Sequence, residues 1–357
     1  MAIIDKPSDY FNTKLYVGNE STNAITGVGH QPDFVWMKNR ASAYYHGLYD
    51  SVRGTGNTKS LYSNANETEG QNSGNMNLAS FNSDGFTLGA TSSTNIINKS
   101  SQNHVSWNWK AGTSFTNDAS ATGIGTVDST GSFNNDAGFS IVSYTNTNQS
   151  ANSGVATIKH GLNTTPNVLI LKDRDATSDW PVFHSSLPTN KYLDLNTTDA
   201  AAVDTNVWNN TAPTSSVFTV GDNSYSNPAN RAMIAYCFAE KQGYSKFGSY
   251  TGNASTDGSF IYTGFKPAFV MCKRTDGADD WFLLDNKRDI DNPANHWLMA
   301  DSSSAEQTSP IFFDFLSNGF KNRGTGGGNN ASGGSYIYMC FAENPFVASN
   351  FVPTTAR

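Results

Sequence analysis

Charge is scarce in this chain: Asp, Glu, Lys and Arg make up 15% of 357 residues, with a net charge of -7. No dense Lys/Arg cluster breaks that balance, and a phosphate-binding surface needs one, which excludes a nucleic-acid partner. Cysteine is scarcer still. Cys237, Cys272 and Cys340 each sit in an apolar run without CxxC spacing. They form neither a disulfide framework nor a zinc site, and read as buried, reduced thiols. His30, His46, His104, His160, His184 and His296 show no HxH or HExxH spacing, so no metal and no cofactor is expected. No apolar run approaches the roughly 20 residues that span a bilayer, which argues against membrane insertion. The start, "MAIIDKPSDYFN", lacks the basic and apolar regions of a signal peptide. Helical periodicity is nearly missing: only Thr189 to Val203 and Ala294 to Ala305 invite a short helix. There is no heptad run and no Gly-X-Y stretch, so any fibre shaft must come from another protein.

What is present is aromatic, with 22 Phe, 15 Tyr and 31 Gly, among many Asn, Ser and Thr. Aromatics fit pleated surfaces, and Gly and Asn fit turns. Such a mix builds β-structure with long polar turns, not disorder.

One line is written three times: "GVGHQPDFVWMKNR" from Gly27, "GLNTTPNVLILKDR" from Gly161 and "GFKPAFVMCKR" from Gly264. Other elements recur around it in the same order. Before it stand "LYVGNEST", "SYTNTNQS" and "SYTGNAST"; after it come "GLYDSVR", "WPVFHSS" and "WFLLDNKR". The hairpin signal "FNSDGFTLG" matches "FLSNGFKNR", with a degenerate "SSVFTVG" between them. Each copy closes on a strand: "VSWNWKAG", "MIAYCFAE" or "YIYMCFAEN". Recurrent short strands of this kind predict an all-β chain of three tandem, homologous, antiparallel β-sandwich units, jelly-roll-like. The units are residues 1–113 (an N-terminal arm plus repeat 1), 114–246 (a connector plus repeat 2) and 247–346 (repeat 3), before a tail, 347–357. The connector, Thr113 to Phe133, is expected to hold a hairpin of its own.

The repeated strand is apolar on both faces, so both must be covered. Pro32, Pro166 and Pro267 mark its start, where a missing N–H is tolerated. Lys38/Arg40, Lys172/Arg174 and Lys273/Arg274 mark its end, and are expected to pair with nearby carboxylates at the sandwich rim. Asp50/Arg53 and Asp285/Arg288 form a matched pair in the outer two copies. Trp180 and Trp281 share a repeat position and belong to the core. In the closing strands, copy one alternates Trp107 and Trp109 with Ser106, Asn108 and Lys110, whereas copies two and three read as replacing those polar places with Ile234, Tyr236, Phe238, Ile337, Met339 and Phe341. Units two and three are therefore expected to pack on one another or across an oligomer interface, and unit one less so.

Chemistry is thinly represented. Asp276, Asp279, Asp280, Asp285, Asp289 and Asp291 match neither a calcium loop nor a carboxylate pair and read as a solvated loop. The chain is not expected to be an enzyme. Aromatics in polar loops can stack on sugars: the candidates are Trp208, with Asn206 and Asn209 to bind hydroxyls, and Tyr44 with Tyr45.

Together "ITGVGHQPDFVWMKNR", "DSVRG", "FNSDGFTLG", "VSWNWKAG", "GYSKFGSYTGNASTDGSFIYTGF" and "SNGF…NASGGSYIYMCFAENPF" resemble a family of repeat proteins widespread in tailed bacteriophages, marine ones especially. The resemblance spans residues 10–346 and implies a β-rich virion structural protein, a tail fibre or other host-contacting appendage. It supplies no catalytic residues. The expected partners are itself, as a homo-oligomer (phage fibres are commonly trimers), other virion proteins, and a host surface glycan or receptor. The expected location is the virion, after assembly in the host cytoplasm. Alternatives are a capsid-surface decoration or fibre protein, a lectin-like carbohydrate-binding module and, last, a capsule-degrading tailspike enzyme. Residues 1–12 are the candidate arm for docking to the particle.

Overall fold

The computed structural model describes residues 4–71, 73–91, 94–147 and 154–347, and it is almost entirely antiparallel sheet. One strand order occurs three times. A first strand pairs with the closing strand, which pairs with the proline–lysine strand, which pairs with its hairpin partner. In the first unit these are Phe11–Val17, Asn103–Trp109, Phe34–Asn39 and Gly47–Asp50. In the second they are Phe139–Thr145, Ala232–Phe238, Val168–Asp173 and Pro181–His184. In the third they are Ser245–Thr251, Ser335–Pro345, Phe265–Arg274 and Trp281–Asp285. A smaller layer covers one face of each main sheet, built on Asn23–Thr26, Leu78–Asn82 and Gly85–Leu88, on Ala156–Lys159 and Val217–Val220, or on Phe260–Tyr262, Gln307–Leu316 and Gly319–Asn322. Both expected Gly hairpins form. Gly85 takes φ 135°, and a Cβ there would meet the Ile25 carbonyl oxygen at 2.0 Å, so only glycine fits.

The other face of each main sheet points to a common centre. One continuous apolar cluster includes Phe34, Trp107 and Trp109 of the first unit, Phe139, Tyr236 and Phe238 of the second, and Phe269, Met339 and Phe341 of the third. The equivalent residues Trp109, Phe238 and Phe341 form a triangle of edge-on rings, with centroids 6.2, 6.0 and 5.6 Å apart. This triangle marks a pseudo-threefold axis. The doubly apolar strands are thus explained: one face fills a private sandwich, the other the shared core. Burying such side chains contributes about 2 kcal/mol each.

The contacts between units run round the axis in one sense. At equivalent hairpin positions, His46 Nε2 reaches the Met299 carbonyl (2.9 Å), Trp180 Nε1 donates to the Ala65 carbonyl (3.0 Å) and Trp281 Nε1 to the Asp194 carbonyl (3.0 Å). The three lysines follow the same rule. Lys38, Lys172 and Lys273 donate to the carbonyls of Ser303, Asn66 and Thr198, each on the neighbouring unit.

Several expectations are corrected. Lys38, Lys172 and Lys273 are fully buried and bind backbone carbonyls; the arginines Arg40, Arg174 and Arg274 make the carboxylate pairs, with Glu306, Glu69 and Asp276. Burial pushes Lys38 down to about 7 and Lys172 to about 8. Unit one is not more loosely packed. Ser106 and Asn108 are buried, and pairing puts Trp107, Tyr236 and Met339 at one position, opposite Trp36, Ile170 and Met271. Ala235 and Cys237, not Ile234 and Tyr236, therefore match Ser106 and Asn108, one residue away from the expected register, and such a shift exchanges the two faces of a strand. The same register sets His46 opposite Lys38's neighbourhood, where Trp180 and Trp281 stand, and His184 where Asp50 and Asp285 stand.

Lys191–Asp194 and Ala294–Met299 are strands, not helices, because Tyr192, Leu193 and their neighbours serve a sheet edge with no helical stripe to bury. The connector does contain a hairpin, Thr113–Asn117 with Ser129–Asn134, which extends the second sheet. Of the acidic loop, Asp285 is fully buried. The N-terminal arm is shorter than 12 residues: Phe11 is already in the shared core. The tail from residue 348 lies outside the described residues. Cys237, Cys272 and Cys340 are free and buried, and among the described residues no helix is long and apolar enough to cross a membrane.

Candidate functional site

Trp208 cannot be a sugar platform. It is 1% exposed, in the second unit's private core, with its ring edge-on to Phe183 at 5.8 Å. Its four-residue helix, Thr205–Trp208, is capped by the Asp204 side chain accepting from Asn206 N. The turn that looks like an open loop in sequence therefore points its indole inward. Asn206 and Asn209 are exposed, but no exposed indole stands beside them.

Tyr44 and Tyr45 fare differently. Both are half-buried and line a cleft of about 350 Å³ with Ala43, Glu67, Asn75, Thr94 and Ile96. The loop that carries them is braced from both ends. Asn39 Oδ1 accepts from Ala41 N and Ser42 N, each at 2.9 Å, and Lys38 Nζ binds the Ser42 carbonyl at 3.4 Å. On the far side His46 is fully buried; Trp36 Nε1 donates to its Nδ1 at 2.8 Å, which leaves the proton on Nε2 for the Met299 carbonyl. Burial lowers its pKa well below the ordinary range, so it stays a neutral anchor. The ring of Tyr45 packs edge-on to Tyr62 at 5.6 Å. Two phenol rings on a fixed loop, an amide, a hydroxyl and a carboxylate make a wall that is part apolar and part hydrogen-bonding.

Glu67 is the lone carboxylate among the described lining residues, and glycoside hydrolysis in its usual form needs a pair. Among the described residues no group of His, Cys, Asp and Glu could hold a metal. Two other histidines are also buried anchors: His160 and His184 are pushed down to about 4 by burial, each with a backbone carbonyl partner.

The cleft has a defined place. The strand Phe34–Asn39 starts beside Trp109 and Lys110, whose N–H binds the Tyr10 carbonyl, and climbs about 17 Å to the tyrosine loop. Both ends of the described chain lie at the lower level. Ile4 and Lys6 line a cleft with Asn163 and Lys241; Val347 lines another with Glu240 and Gly264. The tyrosines thus open at the end away from Ile4 and Val347. Their signal in the sequence was the unrepeated "AYYHG"; Glu67, Asn75, Thr94 and Ile96 carry none, since only the fold brings them there.

Residues 6–345 match a family described as a domain of unknown function (DUF7483). No curated protein and no solved structure matches the chain.

Proposed function

The chain belongs to that family, and from this premise we propose that it is a virion structural protein of a tailed bacteriophage, the host-contacting head of a tail fibre or similar appendage. The observation that carries the reading is polarity: both ends of the described chain, Ile4 and Val347, lie at one end of the body, and the braced aromatic cleft opens at the other. Such a layout suits a module attached below and binding above. The ligand class that fits two phenol rings with amide, hydroxyl and carboxylate neighbours is a surface saccharide, held without being cleaved. Three buried, unpaired thiols suit folding in the reducing host cytoplasm before assembly. The recurrent strand order supports reading the three units as diverged copies of one ancestor.

Replacing Tyr44 and Tyr45 together by alanine tests the site. Binding of the purified protein to host cells or their polysaccharide should fall at least tenfold while the circular dichroism spectrum is kept; unchanged binding refutes the saccharide cleft. Immunogold labelling of intact virions tests the location. Label on the tail supports the appendage, and label over the head turns the reading to capsid decoration.

A further inference from the structure

The sheet faces that a fibre subunit would offer to its sister copies are used up inside this chain. Three units meet around the triangle of Trp109, Phe238 and Phe341, and the ring is closed: the third unit returns to the first. Trp107 Nε1 of the first unit donates to Asp285 Oδ2 of the third at 3.0 Å, with Arg288 over the same indole at 5.5 Å. Arg40 of the first unit holds Glu306 of the third through two hydrogen bonds of 2.9 and 2.7 Å. The first-to-second and second-to-third contacts repeat that arrangement in position, with Tyr236 Oη on Asp50 at 2.8 Å and His184 Nε2 on the Tyr338 carbonyl at 3.2 Å.

We infer that one copy of this chain is a complete threefold body: it works as a monomer that takes the place of a homotrimer, and meets its partner as a single copy. The doubly apolar strands that suggested an oligomer have their second partner within the same polypeptide. A covalent ring also frees its units to differ. The segments matching Ala43-Tyr44-Tyr45 after the other two lysine strands are "TSD" (Thr177 to Asp179) and "ADD" (Ala278 to Asp280), with no aromatic residue. The body therefore carries one such cleft where a homotrimer would carry three. This inference does not depend on what the cleft binds.

Light scattering on the purified full chain tests it, joined to denaturant unfolding over a hundredfold range of protein concentration. The expected mass is that of one chain, 38.5 kDa, with an unfolding midpoint independent of concentration. A stable mass of two or more chains, or a midpoint that climbs with concentration, overturns it. Failure here leaves the saccharide reading standing, because that reading is scored on binding and not on mass.

Discussion

The joints on either side of the first unit are ionic, whereas the joint between the second and third units is not. At the first joint Asp50, Arg53, Glu69 and Arg174 form a chain: Arg53 bonds Asp50 and Glu69, and Glu69 bonds Arg174 across the boundary at 2.7 Å. At the joint closing the ring, Asp285, Arg288, Glu306 and Arg40 repeat it residue for residue. At the remaining joint the same positions are His184, Leu187, Ala201 and Thr275. All four changed together, yet the backbone contact persists. Glu69 N binds the Arg174 carbonyl, Glu306 N that of Arg40 and Ala201 N that of Thr275, each at 2.9 Å. Leu187 and Ala201 pack on the shared apolar core instead. The ions therefore do not make the joint; the apolar core does, and the ions satisfy one another within it. Buried ion networks behave so in general: hard to break by halves, easy to replace whole.

The sharpest way to break the comparison is to break one network by half. Arg53 and Asp50 are wholly buried as side chains, so Arg53→Met should leave the Asp50 carboxylate buried without its cation and lower stability by about 3–5 kcal/mol, read from urea unfolding. Leu187→Met at the matching place should cost less than about 1.5 kcal/mol, as volume-conserving apolar changes do. Equal losses would show that the two kinds of joint are not different in kind.

A whole replacement should do far less. Asp50→His, Arg53→Leu, Glu69→Ala and Arg174→Thr together write the second-to-third joint into the first. Stability should return to within about 2 kcal/mol of the native chain, since an apolar set can replace a buried ionic one at little loss. A quadruple variant as unstable as Arg53→Met would show that the network supports the joint by itself. Tyr236, which donates to Asp50 Oδ2, is the residue to watch, because its hydroxyl loses an acceptor.

The sequence carried the strands, their order and their doubly apolar faces, because those follow from local pattern. It carried Asp50/Arg53 and Asp285/Arg288 as matched pairs, and Arg40 and Arg174 as partners of carboxylates, but not Glu69 or Glu306, because these two join the matched pairs to the arginines of another unit. Trp208 departs from its expected place for a related reason. A single helical turn in a polar loop says nothing about which way its one indole faces, and the private core behind it claimed the ring. The tyrosine loop was legible because it is an aromatic pair in an otherwise polar connection that the sister units lack; its cleft partners come from distant segments.

Protons distinguish the joints as well, with a smaller effect. Burial would raise Glu306, but the Arg40 hydrogen bonds and the Arg288 charge outweigh it and hold Glu306 below its usual range. Its contribution is present above the unfolded pKa and lost as pH falls through the folded one. Beside the unpaired joint, burial raises Asp194 to about 7, helped by Asp179 and Asp199, and Asp301 to about 7, with Asp280 adding to it. These two hold protons more tightly in the folded chain, so their contribution is full at acid pH and lost as pH rises towards 7. Asp301 accepts from Trp281 N, where the sister positions Asn196 and Asn64 accept from Trp180 N and His46 N. Asp301→Asn should thus keep the bond, raise the melting temperature at pH 7 and flatten its fall between pH 4.5 and 7.5. Parallel melting curves for variant and native chain would contradict this assignment.

The smallest effect should come from writing charge where there is none. Leu187→Arg with Ala201→Glu, and Thr275→Arg beyond them, would give the bare joint the arginine–carboxylate–arginine chain of its sisters, though with His184 in place of the buried aspartate. Leu187 and Ala201 are only partly buried, so the new charges keep some water and gain modestly from one another. Against that stands the loss of Leu187's apolar contact with the core, about 1 kcal/mol for a side chain half removed from water. The two terms nearly cancel, and the triple variant should unfold within about 1 kcal/mol of the native chain by urea titration, with its stability now falling as salt is added. A gain well beyond that would mean that the ion chain supplies stability of its own. The lack of one at the second-to-third joint would then mark a place where the ring is built to be weaker.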